Sequence, residues 1–436
     1  MVGRNRQEFS LDRYKTGTNG CIFEALRPTS ANCGRCGAPG QQTSGPRFSS
    51  NRRQNLCARA LRAGCGIGWC ALKITLFGLT LSSSWGNGHA TPYRAILRAL
   101  HRLGHHVTFY ERDVPYYASH RDFLQCDYCD LKLYSSWDEV RAQALAEAAE
   151  SDVVVTASYV PEGTRIADAL LSLEGPLRVF YDLDTPITLS RLGEGDLDYL
   201  CARQLSGFDL VLSWTGGEAL IALERDFGVK VARPLFGCVD PDVYHPVLPN
   251  PGLRCELSYM GTYAPDRQAK LESMFLEPAR IRPSLSFLLA GPLYPGDEQW
   301  PANVRRSEHI PPSMHPELYC SSRLTLNLTR EGMAVSGYCP SGRFFEAAAC
   351  GTPIVTDWFQ GLNSFFEPGK ELLVANDAGD VLRALDQADE DLYLMARRAR
   401  QHTLDEHTGY HRALTLLAAF DAARSAKPRK TEMEAA

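Results

Sequence analysis

No stretch of this 436-residue chain holds the roughly 18 consecutive apolar residues that a membrane-crossing helix requires, so none is predicted. Positive charge is not in excess either. With 46 Lys and Arg against 51 Asp and Glu, the net charge of −5 leaves no electrostatic footprint for nucleic acid. A disulfide framework is missing despite fourteen cysteines. Two CxxC pairs, Cys33–Cys36 and Cys126–Cys129, would formally supply four thiolates for zinc. However, about ninety residues separate them, and the first pair lies in an atypical leader. The later cysteines read as reduced, buried small residues of a cytosolic protein. No Asp-X-Asp sits in a loop suited to a cation, so no metal site is predicted.

What is present changes character near residue 72. Residues 1–71 carry eleven Lys or Arg and only three Asp or Glu, a net of +8 that leaves −13 for the rest. They also hold six of the cysteines, and no sustained helical or alternating pattern precedes Leu56. This composition fits a disordered extension, or sequence foreign to the mature protein. A transit peptide, or a signal sequence over 59–81, is the competing reading. Lys73 and several glycines interrupt the latter, and 74–79 reads better as a buried strand. We expect native translation to begin near Leu72 and the protein to be cytoplasmic.

Beyond that point, strand-like apolar runs alternate with helical patterns. Residues 73–79 read as a strand, 82–89 as a polar glycine loop, and 91–101 as a helix capped by Thr91 with Pro92 at its first position. Gly104 stops it before a strand at 106–110, which completes a βαβ unit. Further strands are expected at 152–156, 177–182 and 208–213, with helices at 136–149, 164–173 and 217–227. A proline-bearing connector fills 230–249. The alternation then restarts, with strands at 255–260, 285–289, 324–328, 354–356 and 372–374 and helices at 264–275, 391–402 and 408–423. The expected fold class is α/β, with two Rossmann-like doubly wound domains facing across a cleft. They cover 72–232 and 233–410, and 411–436 supplies a closing helix and polar tail.

The most informative stretch is 341–356, Ser-Gly-Arg-Phe-Phe-Glu-Ala-Ala-Ala-Cys-Gly-Thr-Pro-Ile-Val-Thr. Ser341 is a suitable N-cap, and Gly351 followed by Pro353 closes a helix of about two turns. Free amides and the positive dipole end at Ser341, Gly342 and Arg343 suit a diphosphate, and the Arg343 fork suits its oxygens. Glu346, one turn deeper, is placed to accept hydrogen bonds from sugar hydroxyls. Phosphate donors beside a carboxylate match the two ends of a nucleotide sugar. A glycine-stopped helix before an apolar strand is also ordinary in any parallel α/β domain, so packing alone is the competing reading.

Six segments, in order, resemble the spore-maturation (CgeB-like) glycosyltransferases. They are 73–94; 181–189, Tyr-Asp-Leu-Asp-Thr-Pro-Ile-Thr-Leu; 237–246; 324–330, Leu-Thr-Leu-Asn-Leu-Thr-Arg; 341–356; and 406–408, Glu-His-Thr. The resemblance spans about 72–420. Its wider relatives are group 1, retaining-type glycosyltransferases with the two-Rossmann GT-B fold. It implies that Glu346 is the second of two glutamates separated by seven residues, the one that holds the nucleotide ribose. The first would fall at Tyr338, so this chain departs from the pattern and lacks the carboxylate that helps bind the donor sugar.

Under that resemblance the second domain binds the donor. Gly261 and Thr262 follow its first strand, where glycine allows close backbone approach. Arg267, Lys270 and Arg330 are candidate diphosphate contacts, against the alternative of solvated helix charges or, for Arg330, a structural ion pair. In the first domain, Asn87 and Gly88 would approach the acceptor. His89 would donate or act as a base, unless it merely caps the next helix. Asp182 and Asp184 would bind acceptor hydroxyls or stabilise a cation-like transition state, or else form the turn before Pro186. Asp113, Tyr116 and Tyr117 would line the acceptor side, and His407 would lock the closing helix. The catalytic set is therefore His89, Asp184 and Glu346.

The expected reaction is sugar transfer from a nucleotide-diphospho-sugar, retaining and metal-independent, with no cofactor beyond the donor. The expected acceptor is a glycan, lipid-linked or protein molecule, with peripheral membrane contact possible in principle. The alternatives are a nucleotide-sugar epimerase of the same fold and a non-catalytic sugar-nucleotide-binding protein.

Overall fold

The computed structural model describes residues 70–426 apart from 124, 196 and 296–299. The basic leader up to residue 69, with Cys33 and Cys36, and the tail beyond 426 lie outside the described residues.

The front lobe is built on β1 (Lys73–Gly78), β2 (His106–Arg112), β3 (Asp130–Tyr134), β4 (Val153–Ala157), β5 (Leu177–Asp182), β6 (Leu210–Ser213) and β7 (Ala232–Pro234). They form one parallel sheet in the order β3-β2-β1-β4-β5-β6-β7. The central strand β4, Val-Val-Val-Thr-Ala, is buried at every position, as expected where helices cover both faces of a parallel sheet. The rear lobe repeats the plan with β8 (Cys255–Met260), β9 (Phe287–Ala290), β10 (Val304–Ser307), β11 (Ser322–Asn327), β12 (Ile354–Thr356) and β13 (Leu373–Val374). Its order is β10-β9-β8-β11-β12-β13. In each lobe the order reverses beside the first strand, and ligands bind open α/β sheets at that crevice.

The expected doubly wound architecture is therefore present, with three strands that the reading of the sequence omitted. All three are edge strands. β3 buries only Tyr134 of its five side chains, β7 is three residues ending in Pro234, and β10 exposes Arg305 and Arg306. Edge strands need no continuous apolar run and tolerate proline and charge.

Two helices differ from expectation. The first runs Ala90–Arg102 and is not capped by Thr91. Asn87 does that work, its Oδ1 accepting from the amides of His89 at 3.0 Å and Ala90 at 3.4 Å. The helix expected at 264–275 continues to Ile281 through a π segment at Glu272–Leu276, directly before Pro278. Proline supplies no amide and its ring crowds the preceding turn, so the local widening lets the helix continue.

The closing helix, Gly409–Ala426, returns to the front lobe. Leu416, Leu417 and Phe420 pack into the same core as Ile96, Leu97 and Leu100 of the first helix. Gly409 lies against the Ala95 carbonyl, with no room there for a Cβ.

Candidate functional site

The carboxyl ends of both sheets bound one cavity of about 340 Å³. Its rear wall is cationic. Ser341 caps the helix Gly342–Ala349, and its Oγ accepts from the Arg343 amide at 3.4 Å and from Arg343 Nε at 3.1 Å. The guanidinium also donates to the carbonyls of Met260 and Leu328, which pins it across the ends of β8 and β11. Glycine at 261 lets the guanidinium lie close to the backbone, since a Cβ there would be 2.6 Å from Arg343 Nη1. Arg267 is only 8% exposed; it donates to the Thr262 carbonyl, and its Nε finds no partner. Burial lowers its pKa, and the neighbouring Arg343 and Arg330 guanidiniums add to that effect. Among the described residues no carboxylate pairs with either Arg267 or Arg343. Arg330 pairs with Asp266 at 3.1 Å. Burial opposes its charge, but the Asp266 and Asp184 carboxylates outweigh that and raise its pKa.

Glu346 lies deeper on the same helix. Although 6% exposed, it lines the cavity. Tyr319 donates to its Oε2 at 3.0 Å, and His315 Nδ1 lies 3.9 Å from the same oxygen. From the front lobe, Thr91 donates to Oε1 at 3.3 Å. The carboxylate is thus at the seam between lobes, within reach of both.

The front wall is the loop after β1. Its shape depends on Glu111, a fully buried carboxylate that accepts from the amides of Leu81 and Ser82 and from the hydroxyls of Thr80 and Ser82, at 2.5–3.0 Å. Four donors on one buried carboxylate offset its desolvation and fix the loop. The loop then presents Asn87, Gly88 and His89 to the cavity. His89 Nδ1 has no partner. Burial lowers its pKa, against a smaller opposing effect from Asp184, so the imidazole is neutral near pH 7. Asp184 also lines the cavity and accepts from Tyr159 Oη at 2.9 Å.

The cavity therefore gathers His89, Asp184, Glu346, Asn87, Gly88, Gly261, Thr262, Arg267, Arg330, Ser341, Gly342 and Arg343. Two expected residues are elsewhere. Lys270 turns from the cavity to Asp357, at 2.6 Å, and to the Thr329 carbonyl, at 3.0 Å. A buried carboxylate next to an ammonium is a stronger local partner than open solvent. Asp182 lies beneath the floor, 1% exposed, accepting from the Asp184 amide at 3.1 Å and Thr188 Oγ1 at 3.0 Å. Its turn-forming role wins, and burial raises its pKa to about 7.

Tyr338 does not line the cavity. Its backbone is left-handed, and its ring packs against Gly217 and Gly361, both at positive φ. Asp113 pairs with Arg121 at 2.5 Å, and Tyr116 is 39% exposed with its hydroxyl over Gly86. His407 is buried and accepts from Arg412 on the closing helix at 2.8 Å, the locking role expected of it. The sequence reading missed Glu111, Thr91 as a side chain of the cavity, His315 and Tyr319. Thr91 and His315 line the cavity, whereas Glu111 and Tyr319 support it from behind, one holding the loop after β1 and the other Glu346; all four arrive through tertiary approach, and their spacing carries no signal.

Residues 267–418 match a family model described as glycosyl transferase-like. No curated protein matches the sequence. Solved structures do. A sucrose-phosphate synthase from Thermosynechococcus elongatus superposes with a TM-score of 0.59 at 14% identity, covering 82% of this chain and all of that one. Anabaena Alr3699/HepE in complex with UDP-glucose gives 0.56 at 10% identity, covering 80% and 100%. An alpha-glucosyltransferase in complex with UDP-glucose and DNA containing an abasic site gives 0.57 at 12%, covering 81% and 100%. Identities this low establish architecture: the two parallel sheets with flanking helices are the GT-B fold.

Proposed function

We propose that this protein is a glycosyltransferase that takes a sugar from a nucleoside-diphospho-sugar held by the rear lobe. One observation carries the reading. Arg267 and Arg343 line the cavity with no carboxylate partner among the described residues, beside a capped helix N-terminus. Unneutralised buried charge is costly unless a ligand supplies the counter-charge, and a departing diphosphate does so. Glu346, one turn below, would accept from ribose hydroxyls, and Thr91 is the weaker of its existing donors to be displaced.

The acceptor would enter along the front wall, where neutral His89 is able to take a proton and Asp184 to orient a hydroxyl or stabilise positive charge at the anomeric carbon. Guanidinium groups would stabilise the leaving group without a metal. Tyr338 packs outside the cavity, so the carboxylate missing from that position is not replaced by its hydroxyl. Asp184 would be the acidic group opposite Glu346. Membership of the CgeB-like, group 1 branch, action in the cytoplasm and a glycan, lipid-linked or protein acceptor complete the proposal.

The test is a thermal-shift and calorimetric screen of UDP-, GDP-, ADP- and dTDP-sugars, followed by measurement of nucleoside diphosphate release. UDP-glucose is the first donor to try, since two structures of this fold were solved with it. Stabilisation by one class of donor, with diphosphate released when acceptor is added, is the expected result. If no nucleotide sugar binds, the reading fails.

A further inference from the structure

Beyond the cavity, the segment between β2 and β3 holds Cys126 and Cys129 with their Sγ atoms 2.9 Å apart and both side chains half-buried. The two thiols lie much closer than packing alone requires, and neither is sealed from solvent. Burial of a small apolar side chain does not account for this arrangement.

The neighbours of this pair connect it to the rest of the molecule. Tyr128, between the two cysteines in sequence, is buried, and the guanidinium of Arg98 covers its ring at 5.1 Å. Arg98 in turn donates to Asp240 at 2.7 Å, on the connector that joins the lobes. At the other end of the segment, the amides of Asp122 and Phe123 both donate to the Ser82 carbonyl at 3.1 Å. Asp122 also accepts from Ser84 Oγ and from Arg94. Ser84 lines the cavity. The dithiol segment thus touches the cleft wall directly and reaches the interlobe connector through Arg98.

We propose that Cys126 and Cys129 form a reversible intramolecular disulfide, and that its closure loosens the clasp between Asp122–Phe123 and the Ser82–Ser84 wall. The oxidant required is a low-molecular-weight disulfide such as oxidised glutathione. The Cys126 thiolate attacks one of its sulfurs, forming a mixed disulfide and releasing one glutathione thiolate. Cys129 then loses its proton and attacks the Cys126 sulfur. The ring closes and the second glutathione leaves as thiolate, so two protein thiols are oxidised and one disulfide is reduced. The order of attack follows from the environment. The hydrogen bond from Cys129 brings the Cys126 thiol down to about 7, so it is the one substantially ionised at neutral pH. Closing the bond draws the sulfurs to about 2.05 Å, which tightens 126–129 and pulls on the residues flanking it.

The test uses the full chain in glutathione buffers of graded oxidation, with thiols trapped by iodoacetamide, peptide mapping, and amide hydrogen exchange on the two end states. The expected result is a Cys126–Cys129 disulfide that dithiothreitol reverses, with the Asp122 and Phe123 amides exchanging at least about threefold faster in the oxidised form. Cys126→Ser should abolish that difference. The proposal is overturned if the thiols stay reduced, if glutathione remains as a stable adduct without ring closure, if bound zinc holds the pair, or if the disulfide forms with exchange unchanged. None of these readouts requires a nucleotide sugar, so the result is independent of whether the proposed donor binds.

Discussion

At the scale of single residues, Arg267 combines a cost with a purpose. A guanidinium 8% exposed, with Nε unpartnered and two other arginines nearby, destabilises the ligand-free protein. Arg267→Leu is expected to raise the melting temperature of the ligand-free protein by a few degrees, from roughly 1 kcal/mol or more of relieved burial. The same variant is expected to lose at least about tenfold in donor affinity by calorimetry. Glu346 should behave differently. Its carboxylate accepts from Thr91 and Tyr319, so Glu346→Gln keeps the acceptor geometry on one oxygen and removes the charge. Donor binding should weaken about tenfold, roughly 1.4 kcal/mol, while unfolding stability changes less; equal donor affinity in a folded variant would disprove the placement.

Asp182 offers a pH signature. Its folded pKa is raised to about 7 by burial, whereas the unfolded chain titrates near 3.8. Between these values the native state retains a proton that the unfolded state has lost. This contribution is fully present below about pH 4, declines as pH rises, and is gone above about 7, with a ceiling of about 4 kcal/mol. Asp182→Asn keeps the acceptor for Thr188 and should flatten that decline, measurable by urea denaturation at pH 4.5, 6 and 7.5.

At the scale of elements, the sequence showed most where one signal dominated. Apolar runs marked β4, β9 and the Val-Phe-Tyr centre of β5, apolar–polar alternation marked β8, and serine-to-glycine punctuation marked the helix Gly342–Ala349. It showed least where the determining partner is distant. β10 has exposed arginines and exists because it pairs with β9. Lys270 is drawn away by Asp357, 87 positions along the chain. Glu111 is one acid inside an ordinary strand until Leu81 and Ser82 fold over it. The candidate site was legible where it is a local motif, at 341–346 and 87–89, and illegible where side chains arrive from elsewhere, as Tyr319 and His315 do.

The loops after β8 and β9 approach so closely that a Cβ at Gly291 would collide with the Gly261 carbonyl. Gly291→Ala is therefore expected to cost about 1–3 kcal/mol by chemical denaturation and to disturb the diphosphate side of the cavity.

At the scale of the whole molecule, the lobes are joined by more than the connector. Trp214 donates to the Pro340 carbonyl at 2.7 Å and Thr91 reaches Glu346, while Arg98 ties the front lobe to the connector itself through Asp240 at 2.7 Å. The closing helix then packs its apolar residues into the front-lobe core. Truncation after Thr408 is accordingly expected to unfold the front lobe and not merely trim the rear one. Circular dichroism and limited proteolysis would show this, and supplying 409–426 through a flexible linker to 70–236 should restore a protected fragment.

That return of the last helix also bears on synthesis. The front lobe lacks one layer of its own interior until codons 409–426 have been read, so its sheet waits, partly uncovered, while the rear lobe is made. Chaperone dependence during translation should therefore fall on the front lobe and be relieved only once that helix has been made.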